Sequence, residues 1–164
     1  VSAAARFTDL YSRYGGDVYR FALYLSGNSA VAEDVTAETF LRIWNLADSV
    51  RPSTVKAYLL AIARNLYRHE LRTSRREIPL SPVIPAGCSL EREAESRAEF
   101  DRVIAGLQRL PEVDRAAVLL RAEDGLSYEE IAVALDISVT AAKVKVHRAR
   151  LKLAEARGRS VETS

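Results

Sequence analysis

The chain has 164 residues, room for one domain or two small modules. With 48% hydrophobic residues, 28% charged residues and a net charge of +2, a fully disordered chain is excluded. One cysteine (Cys88) allows no internal disulfide, one cysteine with two histidines (His69, His147) argues against a structural zinc site, and no apolar run approaches the ~18 residues of a membrane span. The first residues lack a basic segment followed by an apolar one. No signal peptide is therefore expected, and a reducing cytoplasm is the default compartment.

Glycine is rare and no stretch alternates with a period of two, so the chain reads as all-α. The first helix is expected near 3–25, with a break allowed at Gly15-Gly16. The second is expected near 29–47, capped by Asn28 or Ser29, and the third near 53–73, capped by Ser53 after Pro52. Pro79, Pro82 and Pro85 then fall in a Ser- and Arg-rich stretch, which reads as an extended linker over 74–91. Four further helices are expected near 91–107, 111–123, 127–134 and 138–155. Pro111 suits a first helical turn, Ser127-Tyr-Glu-Glu130 fits a capping box, and Ser138 can cap the last helix. The division is thus a helical module over 1–73, a linker over 74–91, a second module over 92–158 and a disordered tail over 159–164. Each module is near the ~70-residue size at which an independent core is marginal, so a partner that clamps both would be physically useful.

Charge is unevenly spread. Arg51, Lys56, Arg64, Arg68, Arg72, Arg75 and Arg76 face one acid, Glu70, while Lys143, Lys145, Arg148, Arg150, Lys152, Arg157 and Arg159 face one acid, Glu155. Two basic blocks on a nearly neutral chain fit two contacts with a polyanion. Two solvated helix faces would have the same composition.

The second block is the more informative. Ile131 and Leu135 lie one turn apart, Ile137 can plug the turn, and Val139, Ala142, Val146, Ala149 and Leu153 recur at spacings of three and four. The opposite face carries Thr140, Ala141, Val144, Lys145, His147, Arg148 and Lys152, flanked by Lys143 and Arg150. This is the pattern of a helix-turn-helix whose second helix enters a major groove. Lys and Arg meet phosphates or guanine edges, and small or methyl-bearing residues allow close approach.

In the third expected helix Leu59, Ile62 and Leu66 form the inward stripe, with Arg64 and Arg68 outward. Tyr58, Asn65 and Arg72 fall in line beside that arginine row. Aromatic, amide and guanidinium groups on one face suit bases lifted from a stack, although an Arg-rich surface helix explains them equally well. In the second expected helix Thr36, Ala37, Phe40 and Trp44 can face the core. Asp34, Glu38 and Arg42 form a polar line edged by Val31, Val35 and Leu41, which suits a protein–protein contact or simply a solvated Glu38–Arg42 pair.

Three ordered segments carry a resemblance. They are Ala32-Glu-Asp-Val-Thr-Ala-Glu-Thr-Phe-Leu-Arg-Ile-Trp44, then Ala57-Tyr-Leu-Leu-Ala-Ile-Ala-Arg-Asn65, and then Leu110-Pro through Asp124-Gly-Leu-Ser-Tyr-Glu-Glu-Ile-Ala132 to Lys143-Val-Lys-Val-His-Arg-Ala-Arg150. From Phe7 to Leu153 the chain resembles the extracytoplasmic-function (ECF) group of bacterial sigma factors, the promoter-specificity subunits of RNA polymerase. The resemblance implies two small helical domains on a flexible linker. It also implies a contact with the polymerase core, at the beta-prime clamp, through Asp34, Val35, Glu38, Leu41 and Arg42, and a second contact at the beta flap. The −10 promoter element would meet Lys56, Tyr58, Arg64, Asn65, Arg68 and Arg72. The −35 element would meet Ser138, Thr140, Ala141, Lys143, Val144, Lys145, His147, Arg148 and Arg150. It further implies control by an anti-sigma factor, a bacterial cytoplasmic location, no cofactor, no metal and no catalytic residue. Tryptophan is common in the family at Tyr58, Gly at Asp136, and Gly-Thr-Val at Thr140-Ala-Ala142, so the −35 base preference does not transfer.

Other classes fit less well. A sigma mimic would carry a receiver domain, for which this length has no room. A dimeric helix-turn-helix repressor would need neither the Asp34–Trp44 segment nor the Tyr58/Asn65 face. An enzyme would need more than Glu129-Glu130, which point about 100° apart with no nucleophile–base pair nearby. Cys88, in the linker, could sense redox state, but a lone thiol there is more simply incidental.

Overall fold

A computed structural model describes residues 2–45, 55–73 and 90–162. Of the linker expected over 74–91, residues 74–89 with Cys88 lie outside the described residues, as does the Ser53 cap, while Leu90 and Glu91 already belong to a helix. Among those described, every regular element is an α-helix.

Helix α1 (Ala3–Ser26) starts at Ser2, whose hydroxyl accepts the Ala5 N–H at 3.2 Å. It runs through Gly15-Gly16 without the break that the pair allowed. Two glycines cost a helix about 1 kcal/mol each relative to alanine, and the apolar contacts of Val18, Phe21 and Leu25 on the same helix outweigh that. Gly27 ends α1 in the left-handed conformation (φ 68°), its N–H donating to the Leu23 carbonyl at 2.7 Å. Asn28 then caps α2 (Ser29–Trp44) by accepting the Ala30 and Val31 N–H groups at 2.9 and 3.1 Å. The buried hydroxyls of Thr36 and Thr39 donate to the Ala32 and Val35 carbonyls, so neither is buried unsatisfied. Helices α1, α2 and α3 (Val55–Thr73) enclose a core of Phe21, Leu25, Phe40, Ile43, Leu59 and Leu60.

The second group comprises α4 (Leu90–Gln108), α5 (Glu112–Ala122), α6 (Tyr128–Leu135) and α7 (Val139–Glu162). Pro111 stands at the N-cap of α5, one position before the first turn. The capping box at α6 is complete. Ser127 Oγ accepts the Glu130 N–H at 3.1 Å, and Glu130 Oε1 accepts the Ser127 N–H at 2.9 Å. Ile131, Leu120, Ala142, Val146 and Ala149 fill the centre of this group. Helix α7 continues to Glu162 and so extends into the stretch expected as a disordered tail.

The two groups pack against each other, α5 and α4 on α1 and α6 on α3. Arg115 is buried at the junction. Within its own group its Nε donates to the Leu107 carbonyl at 2.9 Å and Nη2 to the Leu110 carbonyl at 3.1 Å. Across the junction Nη1 donates to the Leu25 carbonyl at 2.7 Å and to Tyr67 Oη at 3.2 Å. Leu25 lies in the last turn of α1, where carbonyls lack helical partners, so the guanidinium caps that end while opposing its partial negative charge. Gln108 Nε2 donates to the same carbonyl at 3.1 Å. Burial raises the Tyr67 phenol above its ordinary pKa of 10, and the neighbouring Arg115 charge and hydrogen bond oppose the shift.

The turn between α6 and α7 is closed by Asp136 in the left-handed region (φ 54°), with the Ile137 N–H donating to the Ala132 carbonyl at 3.0 Å. An L-residue there is strained by about 1 kcal/mol, less for Asp than for bulkier side chains. Asp136→Gly is expected to raise stability by about 0.5–1 kcal/mol while leaving the turn unchanged, as read from urea unfolding midpoints.

Candidate nucleic-acid interface

Helix α7 has a built start. Ser138 Oγ accepts the Ala141 N–H at 3.0 Å, and the Ser138 carbonyl accepts the Ala142 N–H at 2.9 Å. Ala142, Val146 and Ala149 are buried against the rest of the group, with Val139 and Leu153 half-buried at its margins. Small side chains at two of the central positions let α7 lie close on α5 and α6. Ser138, Thr140, Lys143, Val144, His147, Arg148 and Arg150 are exposed, while Ala141 and Lys145 are half-buried. Every residue expected to read duplex therefore sits on one helix and its cap, and most of them face solvent.

The basic side chains are held rather than loose. Asp114, in the first turn of α5 and 3% exposed in its side chain, accepts from Arg148 Nε at 3.1 Å and pairs with Lys145 Nζ at 3.6 Å. Lys143 Nζ lies 5.8 Å from the centre of the Tyr128 ring, which Arg121 covers at 4.5 Å. Sequence reasoning missed Asp114 and Arg115. The available signal was Glu112 and Asp114 directly after Pro111, two acids in a first turn, where a helix dipole favours negative charge.

Helix α3 departs from its expected faces. Leu59 and Leu66 are buried as expected and Ile62 is half-buried, but Leu60, Ala63, Arg64 and Tyr67 are buried as well. Arg64 does not belong to an outward arginine row. It is 3% exposed, and its Nε and Nη2 donate to Oε1 and Oε2 of Glu112 at 2.9 and 2.8 Å. The second group covers a side of α3 that its own module leaves open. Tyr58, Asn65 and Arg72 remain exposed and Arg68 is half-exposed. Lys56 is half-buried between Asp17 Oδ2 and Asp124 Oδ1, each at 3.8 Å.

On α2, Asp34, Glu38, Leu41 and Arg42 are exposed, and Glu38 pairs with Arg42 at 3.7 Å. Val35, expected at the margin of this surface, is instead a core residue at 4% exposure. Trp44 and Ala37 show the opposite change. Both were expected inside and both are exposed, Trp44 edge-on to Phe7 at 4.9 Å. Asp34, Glu38, Leu41 and Arg42 border a groove whose far wall is Leu66, His69 and Glu70 of α3.

Asp124, in the turn between α5 and α6, is the one strongly perturbed acid among the described residues. Burial pushes its carboxyl up to about 7 from 3.8. Lys56 and Arg20 pull it down, and Asp17 and Glu123 push it further up. Its Oδ2 is buried with no hydrogen-bond partner among the described residues. Among those residues no group of three or more His, Cys, Asp or Glu is placed to hold a metal ion, and no helix is long and apolar enough to cross a membrane.

Known proteins share both halves of this arrangement. Residues 10–77 match the family described as Sigma-70 region 2, and residues 100–153 match Sigma-70, region 4. The ECF RNA polymerase sigma factor EcfG of Rhodopseudomonas palustris (strain TIE-1) is 37% identical over 81% of this chain and 75% of its own length. The ECF RNA polymerase sigma factor SigM of Bacillus subtilis (strain 168) is 32% identical over 88% of this chain and 91% of its own. Among solved structures, the sigma factor RpoE in complex with the anti-sigma factor NepR from Bartonella quintana superposes with a TM-score of 0.75. That match has 26% identity and covers 93% of this chain and 96% of that one. CnrH in complex with the cytosolic domain of CnrY gives 0.70 and 27% over 93% and 92%.

The Asp124 environment generates a pH test. Its carboxyl holds a proton more tightly folded than unfolded, so its contribution to stability is full below about 3.8 and is lost as the pH rises through about 7. Asp124→Asn should therefore gain on the parent chain between pH 4 and pH 7, by at most ~1.4 kcal/mol per pH unit. Unfolding midpoints at closely spaced pH values check this. A constant difference between the two chains would remove Asp124 as the cause.

Proposed function

The chain belongs to the extracytoplasmic-function group of RNA polymerase sigma factors, and from that premise we propose how its surfaces divide the work of directing transcription initiation. The observation that carries the reading is the capped, cationic and solvent-facing side of α7, delivered by a turn of helix-turn-helix geometry. We assign the −35 element to α7, through Thr140, Ala141, Lys143, Val144, Lys145, His147, Arg148 and Arg150 with the Ser138 cap. Arg and Lys supply phosphate and guanine contacts, and Val144 and the methyl of Thr140 supply apolar contacts to thymine. Tyr58 and Asn65, exposed on α3, are assigned to the separated strand of the −10 element together with Lys56, Arg68 and Arg72, whereas Arg64, buried and paired with Glu112, is not. Capturing an unstacked base there offsets the few kcal/mol needed to lift it. The exposed line Asp34, Glu38, Leu41 and Arg42 on α2 is assigned to the polymerase core, with Val35 supporting it from beneath.

The chain itself is assigned no chemical step. It acts where its polymerase is, in the bacterial cytoplasm. NepR and the cytosolic domain of CnrY are bound to the two solved relatives. By extension, an anti-sigma protein is the natural negative partner here.

Neither module needs to bind DNA tightly alone. Once both are docked on one polymerase, the second contact becomes intramolecular and is governed by an effective concentration. Run-off transcription with core polymerase on genomic promoters tests the whole reading, and initiation at a discrete set of sites is the expected result. Asp34→Arg should weaken binding to core polymerase without changing the unfolding midpoint. Arg148→Ala should weaken binding to −35 duplex and lower the slope of log affinity against log salt by about 0.9, with capture of single-stranded −10 DNA retained. Equal loss of both DNA activities would refute the division of labour.

A further inference from the structure

We propose that Asp114 is a positioning residue for promoter recognition: through Arg148 and Lys145 it fixes where α7 sits on the −35 duplex, and so how well the chain tells one sequence from another. The proposal rests on the assignment of α7 to the −35 element. It adds a residue that lies on a different helix and is too buried to touch DNA itself.

Asp114 stands in the first turn of α5, with its side chain 3% exposed. Its two carboxylate oxygens serve two cations of α7. Oδ2 accepts from Arg148 Nε at 3.1 Å, and Oδ1 lies 3.6 Å from Lys145 Nζ. Those cations are three residues apart and therefore neighbours on one side of the helix. Taking a carboxylate out of water is costly, and the α5 dipole offsets only part of that cost. A neutral side chain of similar size generally suits an interior at least as well, so stability alone gives no reason for an acid here.

The way Arg148 is held gives one. A guanidinium carries its donors on three nitrogens in one plane, and Asp114 takes Nε. That leaves the edge formed by Nη1 and Nη2, on a side chain that is half exposed. With its plane set by the carboxylate behind it, this edge meets a phosphate through two parallel bonds in one orientation. Phosphate contacts carry no sequence information, but they set the register in which the rest of a helix meets the bases. Thr140, Val144 and Arg148 follow at intervals of four and form one row along the exposed side of α7. An anchored Arg148 therefore fixes how deeply Thr140 and Val144 enter the groove. Lys145, half-buried beside the same carboxylate, is restrained in the same way. The acid has a second effect. It subtracts charge from the side of the chain that meets DNA, which weakens attraction to any duplex whatever its sequence. Specificity is a difference of affinities, and Asp114 acts on both members of that difference.

The test uses the full chain bound to core polymerase and two duplexes, a promoter found by run-off transcription and the same promoter with its −35 element scrambled. Affinities are measured by band shift at several salt concentrations. Asp114→Asn keeps the size of the side chain and removes its charge. It is expected to bind the scrambled duplex more tightly and to lower the ratio of the two affinities by about tenfold, the cost of about one misread base pair. The slope of log affinity against log salt should stay at the parent value, because Arg148 still neutralises a phosphate. Arg148→Lys is a second route, since an ammonium keeps the charge and lacks the planar fork. It should lower the ratio at an unchanged slope, and adding Asp114→Asn to it should lower the ratio by much less than Asp114→Asn does alone. An unchanged ratio in Asp114→Asn, whether both affinities rise or fall together, or a full further loss in the double variant would overturn the proposal. If Asp114→Asn does not fold, a parent-like ratio in Arg148→Lys overturns it. If the parent chain directs initiation at no promoter, the sigma-factor reading fails. If it binds both duplexes equally, the assignment of α7 fails. In either case the role of Asp114 goes with it, whereas a parent chain that discriminates isolates Asp114 as the residue under test.

Discussion

A guanidinium that neither helical group could leave dry and unpaired sits where the two meet. Arg115 gives two hydrogen bonds to carbonyls of its own group and two to the other, at Leu25 and Tyr67. The first pair orients the side chain before the groups meet, so docking costs little further side-chain entropy. The second pair closes the end of α1, whose last carbonyls would otherwise need water. A buried charge tolerates its site only when its donors are used, which is why this contact fixes one relative placement of the groups where apolar packing alone would accept several. The Arg64–Glu112 pair and the Lys56 bridge follow from that placement.

Asp114 does for α7 what Arg115 does for the junction. One buried carboxylate gathers Lys145 and Arg148, two cations on one face of the helix. Half of the Arg148 side chain is nevertheless exposed, so this pair is of the weak, screened kind, worth about 0–1 kcal/mol. With Lys145 Nζ also beside the buried Asp114, Arg148 can keep its Nε on that carboxylate and turn its exposed edge to a phosphate. A fully dry pair would have locked the side chain away from DNA, and no pair at all would have left it to sample many rotamers. The arrangement positions the cations and keeps them accessible.

Much of this was legible in the sequence, because helices announce themselves locally. The capping box at Ser127 and Glu130, the Asn28 cap and the stripe Ala142, Val146 and Ala149 all depend on residues within one or two turns. What escaped were features set by contacts distant in sequence. The periodicity of α3 shows one inward stripe, Leu59, Ile62 and Leu66. Burial of Arg64 and Tyr67 arises from a partner surface dozens of residues away. An arginine at such a position reads as surface, since sequence alone does not reveal a carboxylate waiting 48 positions later. Val35 and Trp44 exchanged their expected places for a related reason. The inner side of α2 is decided by the direction from which α1 arrives, bringing Phe7 and Tyr11 to Phe40, and that direction is not encoded in the period of α2 itself.

Contact between the two groups also follows from the size of the parts. A module of about 70 residues buries a smaller share of its surface than a larger domain does, so each half gains by covering apolar area on the other. The side of α3 used for this carries Arg64 and Tyr67, while Tyr58 and Asn65 on the same helix and the cationic side of α7 stay exposed. The two-pronged Arg64–Glu112 pair gives that apolar contact a defined register, because its hydrogen bonds are directional where apolar packing is not.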